Sequence, residues 1–210
     1  MANIIDLTQS YQAGMPGVNI RPAKILAKDG WNASTLEIYS HAGTHIDAPY
    51  HFEVSDQRID QIPLDQFMGL AWIVHLENLP AHYAISIADL GSVREKVQAG
   101  DSLLFRTGWS QKQGTPPYRD ELPRISEELA LWCVQQKIKM LGVEPPSVAD
   151  VNNLEEVTRI HRILLRGGIN IIEGLVNLDK ISAPRIKLVA LPLKIKNGDG
   201  APARVIAIEE

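Results

Sequence analysis

Between Ser40 and Phe52 the chain reads S-H-A-G-T-H-I-D-A-P-Y-H-F, and three of its six histidines fall in this stretch. His41, His45, Asp47 and His51 are all odd-numbered. In an extended chain alternate side chains share a face. The spacing therefore puts three imidazoles and a carboxylate on one side. The even-numbered Ala42, Thr44, Ile46, Ala48, Tyr50 and Phe52 are more apolar and suit packing on the other. A helix would also stack His41 over His45, but Gly43, two β-branched residues and Pro49 disfavour one. Imidazole nitrogen together with carboxylate oxygen is a donor set for zinc, manganese or iron. Three ligands from one short segment leave coordination positions open for water or substrate. The competing reading, a polar strand with incidental histidines, does not account for the shared parity.

A second stretch runs from His161 to Leu178, H-R-I-L-L-R-G-G-I-N-I-I-E-G-L-V-N-L. Glu173 is the only charge between Gly167 and Leu178. A carboxylate inside such an apolar run is costly to bury unless a cation meets it, so either a metal or a structural ion pair is expected there. His161 precedes it on a predicted helix, and by itself reads as an ordinary helix-face histidine. Spacing alone does not bring this segment to the first.

The elements that must carry these residues can be read from periodicity and punctuation. Strands are predicted at 2–8, 34–40, 71–77, 102–107, 140–143, 169–173, 186–193 and 203–208. Helices are predicted from Ser86 to Val97, from a Ser126 cap to about Lys139, and from Leu154 to Arg166, where Gly167-Gly168 supplies a stop. Gly, Pro and charged residues at 111–124 predict a surface loop, and 196–200 (KNGDG) a hairpin-type turn. Strands mixed with a few helices give α/β or α+β. No repeat or long linker divides the chain, so residues 1–210 read as one domain.

Hydrophobic residues make up 45% of the 210, ordinary for a globular core. A net charge of -4 gives no electrostatic case for nucleic acid or an anionic membrane. No apolar stretch approaches the ~20 residues of a membrane span, and the first residues lack the pattern of a signal peptide. The expected location is the cytoplasm. Cys133, the single cysteine, sits in a helical pattern and reads as a buried structural thiol. His75 reads as structural, His82 as a surface-loop residue, and Tyr118 as an exposed loop tyrosine. Trp109 reads equally as pocket lining or core.

The pattern H-x-G-T-H-x-D-x-P-x-H-F resembles the signature of the metal-dependent cyclase family, which includes bacterial kynurenine formamidases and isatin hydrolases. Its fixed positions here are His41, Gly43, Thr44, His45, Asp47, Pro49, His51 and Phe52. The stretch around His161, Glu173-Gly174-Leu175 and Asn177-Leu178 is similar to the family's second block. Weaker similarities are Thr107-Gly108-Trp109, Gly142-Val143-Glu144 and Gly198-Asp199-Gly200-Ala201-Pro202.

The resemblance implies an α/β, single-domain β/β/α (swivelling-type) fold with a barrel-like mixed sheet and flanking helices, in a dimer or tetramer. It implies a divalent metal. In the zinc formamidases this is a two-ion site, with His41, His45, Asp47 and Glu173 on one ion, and Asp47, His161 and Glu173 on the other. In the isatin hydrolases it is one manganese at the positions of His41, His45 and Asp47. By the same resemblance His51 is the acid/base. Met15 is a substrate-binding position, where the formamidase pattern has Trp, and Val18 stands where it has Asp. The implied reaction is that of an aryl formamidase, N-formylkynurenine to kynurenine plus formate, a step of tryptophan catabolism. A second reading is hydrolysis of a cyclic amide or lactone. A third, from another class, is a metal-binding module without catalysis, which an intact His51 disfavours.

Overall fold

The runs 102–106, 140–143 and 170–173 are apolar at both parities, which suits strands covered on two faces. The computed structural model, which describes residues 2–209, pairs them so. In chain order the strands are β1 (Asn3–Asp6), β2 (Val18–Lys24), β3 (Ala33–Ile38), β4 (His45–Asp47), β5 (Met68–His75) and β6 (Ala84–Ile85). Then come β7 (Ser102–Arg106), β8 (Arg124–Ile125), β9 (Met140–Val143), β10 (Asn170–Glu173), β11 (Arg185–Pro192) and β12 (Gly200–Glu209). Three short helices, α1 (Leu26–Asp29), α2 (Val93–Lys96) and α3 (Pro116–Asp120), precede two longer ones, α4 (Glu127–Gln135) and α5 (Leu154–Arg166).

The main sheet runs β12-β11-β5-β7-β9-β10-β4, and β4 pairs back onto β12 to close a barrel of seven strands. β1 extends from the later half of β12. The stretch β5-β7-β9-β10 is parallel and the remaining pairs are antiparallel. Alternation divides the apolar residues between two cores. Leu104, Ile172, Ile46, Ile73, Leu188 and Val205 fill the barrel. Leu103, Phe105, Leu141 and Ile171 face outward against Leu129 and Cys133 of α4 and Ile160 and Leu164 of α5. Cys133 is buried in this second core, as expected of a structural thiol.

Several elements differ from the sequence expectation for identifiable reasons. The helix expected over Ser86–Val97 is broken at Gly91, whose φ of +50° ends a single turn at Ile87–Leu90 before α2. Its start is as expected, with Asp89 Oδ2 accepting from the Ser86 backbone at 2.7 Å. α4 stops at Gln135, short of 139, because Lys137 takes a positive φ of 56° and turns the chain into β9. β2, with Arg21, Pro22 and Lys24, carries no clear strand signal and pairs only with β3. The 111–124 loop contains α3, and Tyr118 within it is half-buried rather than exposed, its hydroxyl donating to the Glu144 carbonyl at 2.9 Å. His75 and His82 are both exposed.

Barrel closure depends on β4, which has three residues. It pairs Ile46 with Ile172 and His45 with Glu173 on one side, and Asp47 with Gly200 on the other. Just before it, the buried Thr44 hydroxyl donates to the Gly174 carbonyl at 2.7 Å and accepts from the Gln9 backbone at 2.8 Å. Gly174 has φ +68°, and a Cβ there would collide with the Gly43 carbonyl, so only glycine lets the strands meet. Thr44→Val keeps the shape and deletes both hydrogen bonds. It should cost about 1–3 kcal/mol in urea denaturation, the usual penalty for stranding a buried polar group. An unchanged midpoint would mean the clasp does not hold the barrel shut.

Candidate metal centre

β4 turns Ile46 into the barrel and leaves His45 and Asp47 on the outer face, where β10 presents Glu173 and α5 presents His161. The cluster therefore lies at the C-terminal edge of the parallel strands, the usual ligand-binding edge of such sheets. Shared parity explains only His45 and Asp47. The chain before β4 is a turn with Gly43 at φ +61°, and residues Pro49–Phe52 form a single 3-10 turn. His41 and His51 reach the same spot through those turns, not through an extended strand.

Distances within the cluster are short. His41 Nδ1 lies 2.9 Å from Asp47 Oδ1. His45 Nε2 lies 3.2 Å from Glu173 Oε2 and 3.6 Å from Asp47 Oδ1. His161 Nε2 lies 3.3 Å from Glu173 Oε1 and 3.6 Å from Asp47 Oδ2. Glu173 Oε1 also accepts from the Val148 backbone at 2.7 Å, which fixes its carboxylate. The donor atoms of His41, His45 and Asp47 lie within 4.8 Å of one another, as do those of Asp47, His161 and Glu173. Asp47 belongs to both sets.

His51 stands at the edge. Its ring stacks on His41 at 3.8 Å between centroids, and its Nδ1 is 3.9 Å from Asp199 Oδ2. Phe52 stacks on His161 at 4.4 Å. Met15 is half-buried beside the turn, close enough that a Cβ on Gly43 would sit 2.8 Å from its methyl. Trp109 is buried, with its indole N–H on the Tyr118 carbonyl at 2.9 Å. Glu144 is buried too, gripping the Thr107, Trp109 and Ser110 turn at 2.7 to 3.1 Å. Asp199 is the residue that sequence reasoning missed as a site member; a lone acid between two glycines in a turn reads as turn chemistry. Its carboxylate accepts a hydrogen bond from His41 Nε2–H at 2.9 Å.

The electrostatics show what this arrangement lacks. Burial pushes the Asp47 carboxyl up, but its contact with His41, then His45 and His161, holds it well below the ordinary range. Burial and the Asp47 charge push Glu173 up, and its contacts with His161 and His45 bring it below its ordinary value. Burial pulls His41 down, while its hydrogen bond to Asp47 and then Asp199 raise it to about 9. His161 is raised by Glu173 against the effect of burial. Two ionised acids are thus buried together and lean on neighbouring imidazoles for positive charge. That balance is incomplete, because His45 Nε2 and Asp47 Oδ2 are buried without a hydrogen-bond partner. An imidazole nitrogen and a carboxylate oxygen left bare at one point fit a divalent cation, which would satisfy both.

Comparison with known proteins follows the same line. The family model described as putative cyclase matches residues 5–150. The kynurenine formamidase of Geobacillus thermodenitrificans (strain NG80-2) is 33% identical over 174 residues, 82% of this chain and 78% of that one. That of Bacillus thuringiensis (strain Al Hakam) is 30% identical over 175 residues, 83% and 79% of the two chains. Among solved structures, isatin hydrolase A from Labrenzia aggregata bound to benzyl benzoate superposes with a TM-score of 0.89 at 23% identity, over 99% of this chain and 93% of that one, a likeness of fold. A structure described as a predicted metal-dependent hydrolase from Bacillus stearothermophilus gives a TM-score of 0.79 at 25% identity, over 100% of both chains.

A cation that binds only the folded cluster must stabilise it. At a hundred times its Kd, zinc or manganese contributes about 2.7 kcal/mol, or roughly 5–10 °C in Tm for a chain of this size. Chelation should reverse the rise, and Asp47→Asn should abolish it. A Tm indifferent to either ion would remove the cation from the centre.

Proposed function

The chain belongs to the cyclase family of metal-dependent hydrolases, and on that premise we propose that it cleaves the formyl C–N bond of an aryl formamide, N-formylkynurenine being the reference substrate. The observation that carries this reading is the buried acid pair Asp47 and Glu173, ringed by imidazoles, with His45 Nε2 and Asp47 Oδ2 left bare. His41, His45, Asp47 and Glu173 would hold one divalent ion, and Asp47, His161 and Glu173 a second. The mixed nitrogen and oxygen set suits zinc, with manganese as the alternative. Such a cation supplies Lewis acidity to the amide carbonyl and makes water nucleophilic at neutral pH.

The protein's own groups do the rest. His51 is outside the proposed ligand set and keeps 24% of its side chain exposed, so it can meet both water and substrate. Burial lowers its imidazole below the ordinary value, against the pull of Asp47, and His41 and His161 lower it further. It is therefore neutral near pH 7 and able to accept a proton. Its imidazole would take the proton from water and return it to the leaving amine nitrogen. Tyr39, 61% exposed and 5.6 Å from the His41 ring, and Met15 flank the mouth and would meet the aromatic part of the substrate.

A cyclic amide such as isatin is the second reading. Met15 favours it: a flexible thioether replaces the rigid indole of the formamidase pattern and packs against smaller or differently shaped rings. We further propose a homo-oligomer, dimer or tetramer. The ribbon β2–β3 exposes Leu36 and, at its tip, Ile25, Leu26 and Trp31, and a two-stranded ribbon by itself is marginally stable in water.

Metal-loaded protein should turn over N-formylkynurenine or isatin, with the faster substrate choosing between the readings. His51→Ala should lower kcat by about 100-fold or more while metal content stays the same; full turnover in that variant would take His51 out of the mechanism. Light scattering should return a multiple of the 23.3 kDa chain mass, and a monomer at micromolar concentration would exclude the assembly.

A further inference from the structure

The three imidazoles nearest the acid pair commit their second nitrogens differently. His45 Nδ1 lies 2.9 Å from the Gly43 carbonyl, and His161 Nδ1 lies 2.7 Å from the Val157 carbonyl. A carbonyl oxygen only accepts, so both Nδ1 atoms carry hydrogen and both rings turn Nε2 toward the carboxylates. His41 is reversed. Its Nδ1 faces Asp47 Oδ1, and its Nε2 points out of the cluster to Asp199 Oδ2, each at 2.9 Å.

We propose that Asp199 is a positioning residue that keeps the His41 proton on Nε2, so that His41 offers the cation Nδ1 while His45 and His161 offer Nε2. This rests on the cation reading above and goes beyond it, since it names which atom of each ring binds and what decides it. A carboxylate behind a ligating histidine fixes both tautomer and ring orientation.

The surroundings of Asp199 are built for that task. Its backbone carbonyl accepts from the Ala48 N–H at 3.0 Å, which anchors it beside Asp47. Ser40 Oγ donates to the same carboxylate oxygen at 3.3 Å. The His41 ring is closely packed in this orientation. His51 covers one face at 3.8 Å, and Gly200 lies so close that a Cβ there would sit 2.7 Å from His41 Cε1. Gly200 is thus the space that the ring occupies, and Asp199, one residue earlier, is the acceptor that its outer nitrogen finds. His51 Nδ1, at 3.9 Å from that oxygen, is too far to compete for it.

Nitrogen NMR of histidine-labelled, zinc-loaded protein reads the tautomers directly. His41 alone should be ligated through Nδ1 with hydrogen on Nε2; His45 and His161 should show the opposite. Zinc affinity, measured by competition with a chromophoric chelator, should fall about 10- to 100-fold in Asp199→Ala. It should be largely retained in Asp199→Asn, whose amide oxygen can still accept from Nε2–H. Ligation of His41 through Nε2 in the unaltered protein overturns the proposal, and that spectrum decides even if a variant does not fold. Equal zinc affinity in Asp199→Ala and the unaltered protein overturns it as well. Absence of zinc uptake by the unaltered protein would instead strike the cation reading, and this assignment with it.

Discussion

Two carboxylates, Asp47 and Glu173, are almost completely buried side by side, and the rest of the centre is organised around that fact. Like charges at such proximity repel strongly in a weakly screened interior. Hydrogen bonds from Val148 and contacts with three imidazoles offset part of the cost. They do not offset all of it, since an oxygen of Asp47 and a nitrogen of His45 stay unpaired. A folded protein tolerates such a defect where a ligand removes it. The centre is thus less a set of residues that happen to lie close than a charge imbalance the fold maintains.

Maintaining it falls to the shortest strand of the barrel. β4 contributes one residue to the lumen, Ile46, and two to the centre. Its neighbours are β10, which brings Glu173 into direct register with His45, and β12, which brings Gly200 against Asp47. Closing the barrel and assembling the donors are therefore one event. The helices complete the arrangement from outside: α5 packs through Ile160 and Leu164 and delivers His161 between them. A single turn further along that helix would carry the imidazole about 5.4 Å away, beyond reach of both acids.

Much of this was legible in the sequence, and the reasons differ by element. The long periodic helix Leu154–Arg166 and the apolar strands around Leu104, Leu141 and Ile171 follow from patterning alone, because burial on the expected faces dictates them. The resemblance supplied the meeting of His161 and Glu173 with the first motif; local spacing contains no such information. The one-parity argument grouped His41, His45, Asp47 and His51, and the structure brings these side chains together by a partly different route. Only two of the four lie on a strand, and turns at Gly43 and Pro49 aim the others. Asp199 lay in a weaker block of the resemblance and was not assigned to the cluster, because its place beside His41 comes from a backbone anchored to Ala48, a contact between residues 151 positions apart in the chain. The β2–β3 ribbon was half missed because it has no core to impose alternation on it.

The centre also separates two tasks by depth. Asp47, Glu173, His45 and His161 are buried, and the backbone at Gly43, Val148 and Val157 holds three of them, so a substitution there disturbs folding and charge together. His51, Tyr39 and Met15 are partly or largely exposed and sit on turns, where a side chain can change without moving the barrel. On the proposed reading, the chemistry common to amide and cyclic-amide hydrolysis would draw on the deep layer and on His51, because both reactions place charge on a carbonyl oxygen and move a proton to the leaving nitrogen. On the same reading, discrimination between an open aryl formamide and a fused ring would fall to the mouth. This chain keeps the deep residues of the signature and departs from the formamidase pattern at Met15 and Val18. Met15, beside the Gly43 turn, departs while the buried donors do not, so these residues support the reaction class more firmly than they support one substrate.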